Sequence, residues 1–101
     1  MKKVEVAGEQ IEFMEEGDLD SLFEKLLQAA GRRGVSEKVI NKAKKSVLKQ
    51  TKKIEKALSK GKLRSSEQVR RLRESTKRLE DIVKDPSSYT GHVIEEILKS
   101  L

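Results

Sequence analysis

The chain of 101 residues has no cysteine and no tryptophan, and only one proline, one histidine, one tyrosine and two phenylalanines. Each shortage excludes something. Without cysteine there is no disulfide framework and no thiolate metal site, which suits a reducing compartment and is the ground for expecting a cytoplasmic protein. The lone histidine, His92, has no second imidazole or thiol with which to hold zinc, and it reads as structural or exposed rather than as a base. So few aromatic rings leave little to stack on unpaired bases. No apolar run approaches the length of a membrane span, so no membrane partner is expected. The opening "MKKVEVAGEQ" alternates Val with polar residues instead of running into the apolar stretch of a signal peptide. There is no G-x-S-x-G, no phosphate loop and no dinucleotide fingerprint. The acids of "EFMEEGDLD" lack the spacing of a calcium loop and stand where acids favour a helix N-terminus. The sequence therefore predicts a binding protein, not an enzyme, with no metal and no cofactor.

What the chain has in abundance is charge: 40% of residues are charged and 35% are hydrophobic, with a net charge of +6. The charge is segregated. Residues 1–30 carry a net −5, residues 36–64 a net +9, and residues 65–101 balance at seven of each sign. A strongly basic middle behind an acidic head points to a face made for a polyanion, or to a head that folds back on the middle.

The apolar residues are scarce enough that they must form narrow stripes, and they do. Over residues 1–16, "VEVAGEQIEF" alternates and then reverses, which predicts a β-hairpin. A turn at Gly8-Glu9 would pair Val6 with Ile11 and Val4 with Phe13, at the cost of setting Glu5 opposite Glu12. Two strands alone are marginal in water, so their apolar face needs the helices or a second copy of the chain to cover it, and a homodimer is one route. Helices are predicted over 18–30, 36–60, 66–84 and 91–101. The first carries Leu19, Leu22, Phe23, Leu26, Leu27 and Ala30, with Gly31 as its stop. The second starts at Ser36 as N-cap and buries Ile40, Ala43, Val47, Thr51, Ile54, Ala57 and Leu58. The third has a heptad seam of Val69, Leu72, Thr76, Leu79 and Val83, and should pair antiparallel with the second across a short link. The last shows Val93, Ile94, Ile97, Leu98 and Leu101 on one face. The expectation is a single mainly α domain: a small bundle of about four helices, built round a long antiparallel helix hairpin, with an N-terminal β-hairpin.

The second helix carries the feature that bears on function. With about 100° per residue and Ile40 at zero, its apolar stripe centres near 330°, while Lys38, Lys42, Lys45, Lys49, Lys52, Lys53, Lys56 and Lys60 fall between about 120° and 220°. Like charges stack four apart at Lys38/Lys42, Lys45/Lys49, Lys49/Lys53, Lys52/Lys56 and Lys56/Lys60. At ~0.2–0.5 kcal/mol per pair, they cost the free chain on the order of 1–2 kcal/mol. The third helix is the internal comparison. It interleaves signs at Glu67/Arg71, Arg70/Glu74, Glu74/Arg78 and Lys77/Asp81, the arrangement of a plainly solvated face. The one-signed stripe therefore reads as a surface for nucleic-acid backbone or an acidic protein, with Arg32 and Arg33 of "GRRGV" as candidate extensions. Lysine in place of arginine suits phosphate contacts without base readout.

One local pattern has a second reading. "AAGRRGVSEKVINK" resembles a helix-turn-helix in its Ala30, Gly34-Val35-Ser36 and Ile40, a resemblance that implies Glu37, Lys38, Asn41 and Lys42 in a DNA groove. It departs from that pattern in having Arg33 where an apolar residue is usual, an early Gly31, and a long second helix.

Overall fold

The computed structural model describes all 101 residues. Two strands, β1 (Lys2–Val6) and β2 (Glu9–Phe13), are followed by α1 (Glu16–Gly31), α2 (Glu37–Ser59), α3 (Glu67–Lys84), a 3-10 turn at Pro86–Ser88, and α4 (Gly91–Lys99). The architecture is the expected one: four helices with an N-terminal antiparallel hairpin. The helix boundaries move by one or two residues from those predicted.

The hairpin register is a correction. Val4 pairs with Ile11, Glu5 with Gln10 and Val6 with Glu9, so the turn lies at Ala7-Gly8 rather than Gly8-Glu9. Both turn residues have positive φ, 52° and 78°, as a type I′ turn requires. The reason is electrostatic and geometric together. The shift places Lys3 opposite Glu12, 3.6 Å apart, and removes the Glu5/Glu12 clash. It also lets the turn twist match the strands, which repays the strain of a left-handed alanine. Because the register moves by two residues, the same side chains face inward: Val4, Val6, Ile11 and Phe13 are all buried. Their cover comes from the chain itself, with β2 packed on α3.

Glycine stops two helices, through the residue beyond the one expected for α1. Gly31 lies inside α1, and the reversal falls on Gly34 (φ 81°), where Val35 N–H bonds back to the Ala30 carbonyl at 3.1 Å. Gly61 (φ 63°) does the same for α2, with Lys62 N–H to the Ala57 carbonyl at 2.8 Å. These are the six-to-one bonds of a Schellman stop. Ser36 caps α2 by accepting from Val39 N–H at 3.3 Å, and Thr90 caps α4 by accepting from Val93 N–H at 3.2 Å.

One core joins all elements, with Phe13, Leu19, Leu26, Ile40, Ile54, Leu72, Leu79 and Ile94 among its fully buried side chains. On α3 the seam ends at Ile82, which is fully buried, while Val83 is only half-buried. The buried face therefore shifts by one residue in the last turn, although Val83 still packs against the core. On α4 the buried residues are Ile94 and Leu98, and Val93 is 42% exposed, off the face assigned to it. No helix is long and apolar enough to cross a membrane.

The candidate polyanion-binding face

The α2 stripe folds as its periodicity demands. Ile40, Ala43, Val47, Thr51 and Ile54 are buried, Ala57 and Leu58 half-buried, and these residues turn the opposite side outward. All eight predicted lysines, Lys38, Lys42, Lys45, Lys49, Lys52, Lys53, Lys56 and Lys60, are exposed. None has a carboxylate within 4.0 Å. The remaining lysine of α2, Lys44, is different. It is half-buried and pairs with Asp20 of α1 at 3.0 Å, which tethers the acidic first helix to the flank of α2. The acidic head thus neutralises one lysine and leaves the ladder free.

At a rise of ~1.5 Å per residue, the ladder from Lys38 to Lys60 runs roughly 33 Å, along a molecule whose longest dimension is 42 Å. The face is not uniform. Lys45, Lys49, Lys52, Lys53 and Lys56 ring a shallow depression floored by Leu48, so their methylene stems cover apolar surface while the ammonium groups stay in water. Toward the start of α2, Lys38 and Lys42 share a second depression with Lys99 of α4. Lys99 was not legible as a site residue, since its proximity to Lys38 is purely tertiary. Glu95 accepts from it at 2.8 Å and raises its pKa.

Arg32 and Arg33 are exposed and unpaired, but they do not extend the ladder. They line a separate basin with Lys25, between the end of α1 and the 3-10 turn. Here a sequence signal was available: Lys25, Gln28 and Arg32, the C-cap of α1, stand at i, i+3 and i+7, one face of a helix. In the turn region read against a helix-turn-helix, Val35 and Ile40 are buried, Glu37, Lys38, Asn41 and Lys42 are exposed, and α2 has 23 residues.

The α3 comparison holds in kind and changes in detail. Arg71 pairs with Glu67 at 2.6 Å as expected, but Arg70 pairs with Glu9 of the hairpin instead of Glu74, and Arg73 reaches Glu80 at 3.4 Å. Glu74/Arg78 and Lys77/Asp81 are not in ion-pair contact. Three of the α3 arginines are satisfied by carboxylates, where the eight ladder lysines are not. His92 is exposed, with Nε2 3.1 Å from Glu96 Oε1. No three His, Asp or Glu side chains converge as metal ligands would.

Comparison of the chain with family models, with characterised proteins and with solved structures yields no match.

Proposed function

We propose that the chain is a non-enzymatic protein that attaches to the phosphate backbone of duplex nucleic acid, DNA or structured RNA, through the outer face of α2. The observation that carries the reading is the set of eight exposed lysines on one helix face with no carboxylate partner. A face kept this one-signed costs the free protein stability, and a polyanion offsets that cost by releasing its condensed counterions when it meets the lysines. Lysine on flexible stems, with no aromatic residue anywhere on α2, suits phosphates and gives little purchase on bases.

A straight ladder beside a curving duplex touches only part of its length, so about three to five phosphates are neutralised at once. Titration against random-sequence duplex DNA at several salt concentrations tests this. The expected slope of log K on log salt is about −3 to −4.5, from −0.9 per phosphate. No binding to any duplex at about 50 mM salt overturns the reading and leaves an acidic protein surface as the ligand of the same lysines.

A further inference from the structure

The basin at the end of α1 opens on a different side of the molecule from the lysine ladder. On α1, with Leu19 at zero and about 100° per residue, the buried Leu22, Phe23, Leu26 and Ala30 lie within roughly 60° of it. Asp20 lies near +100°, and its 3.0 Å bridge to Lys44 fixes that flank as the one facing α2. Lys25 and Arg32 fall near −120° and −140°, on the other flank. There they meet Val83 and Ser87 from the end of α3 and the 3-10 turn. The body of α1 thus lies between Lys25 and Arg32 on one side and α2 on the other, and Arg33 joins them from the turn that follows α1.

The basin collects Lys25, Arg32 and Arg33 in an open space of about 470 Å³, with no acidic residue in its lining. None of the three has a carboxylate within 4.0 Å. The neighbouring acids have partners of their own: Asp18 pairs with the N-terminal amine at 2.8 Å, Glu80 with Arg73 at 3.4 Å, and Asp85 accepts from Ser87 Oγ at 2.8 Å and from Ser88 Oγ. Arginine dominates here, in contrast to the ladder, and a guanidinium fork can grip two oxygens of one phosphate.

We infer that this basin is a second phosphate-backbone contact, and that the chain bridges two duplex segments, one on the α2 ladder and one at Lys25, Arg32 and Arg33. This rests on the function proposed above. A duplex lying along α2 leaves the basin free, because the two surfaces face different ways.

The test uses two random-sequence duplexes, one carrying a donor dye and one an acceptor, mixed with the full chain. Wild type is expected to bring them together and give energy transfer. Replacing Lys25, Arg32 and Arg33 together with Ala should cut the transfer about fivefold or more, while affinity for a single duplex stays within about threefold and its salt slope barely changes. Replacing Lys2, Lys77 and Arg78 with Ala removes the same charge elsewhere and should preserve the transfer. Three results overturn the inference. Wild type that binds duplex without energy transfer has one nucleic-acid surface only. Transfer that survives the basin substitutions comes from self-association of the chain. Equal loss in both variants reports net charge. Absence of any duplex binding removes the parent reading as well, and is distinguishable from all three.

Discussion

The carbonyl oxygen of Arg33 lies 2.2 Å from where a β-carbon on Gly91 would stand, so α4 begins directly against the backbone of the turn between α1 and α2. Only a residue without a side chain can start the helix there. Replacing Gly91 with Ala should therefore destabilise the fold by about 1–3 kcal/mol despite the better helix propensity of alanine. Gly17 supplies the opposite sign. It sits in the first turn of α1 with nothing within 4 Å of an added β-carbon. Gly17→Ala should stabilise by about 0.4–1 kcal/mol, and urea denaturation of the two variants measures both.

The ladder predicts a separation of binding from stability. Replacing Lys42, Lys49 and Lys56 together with Glu should flatten the salt slope by about two units or more. The fold should hold and even gain slightly, because all three are exposed and the change removes like-charge stacking. Lys77→Glu with Arg78→Glu on α3 is the comparison, and should cost little affinity. Losses in proportion to the charge reversed, three residues against two, would assign the binding to net charge.

Thr51 is 1% exposed and its hydroxyl has no hydrogen-bond partner. A buried unpaired hydroxyl costs about 1–3 kcal/mol, so Thr51→Val should stabilise by about 1 kcal/mol. Thr76, equally buried, donates to the Arg73 carbonyl at 3.0 Å. Thr76→Val should be close to neutral, and the contrast between the two midpoints in urea decides whether the unpaired hydroxyl is the cause.

Arg70 and Ser66 both hydrogen-bond to Glu9 and hold its carboxyl below the usual carboxylate range. The folded chain then binds this proton less tightly than the unfolded chain, so the contribution to stability is present above about pH 5 and disappears on acidification. Wild type should lose stability more steeply than Glu9→Gln between about pH 5 and pH 3, as followed by thermal unfolding. Parallel curves for the two proteins would mean that the carboxylate contributes nothing measurable.

Much of this fold was legible because its apolar residues are few and strictly spaced. Ile40 through Ile54 could serve only as one stripe of a helix, which fixed the opposite side of α2 as lysine. Ser36, Thr90 and Gly61 punctuate the chain by local chemistry that needs no tertiary knowledge. What escaped was decided at a distance. The hairpin register turned on Lys3 meeting Glu12 and on a left-handed Ala7, which a glycine-first rule passes over. Ile82 is fully buried where the heptad pointed to Val83, which packs at the edge of the core. Arg70 chose Glu9, 61 residues away, over an acid one turn along its own helix. The site divided in the same manner: the ladder is a property of one helix, whereas the parting of Arg32 and Arg33 from it follows from where α3 ends.

The eight ladder lysines of α2 are exposed while the core stripe behind them is buried, and this makes the surface adjustable in increments. Lys42, Lys49 and Lys56 stand two turns apart, roughly 10 Å, which is far enough for substitutions to act additively. Under the proposed function, affinity would then be graded one lysine at a time, and so would the ionic strength at which a duplex lets go. Mutation can set such a dial without renegotiating the packing beneath it.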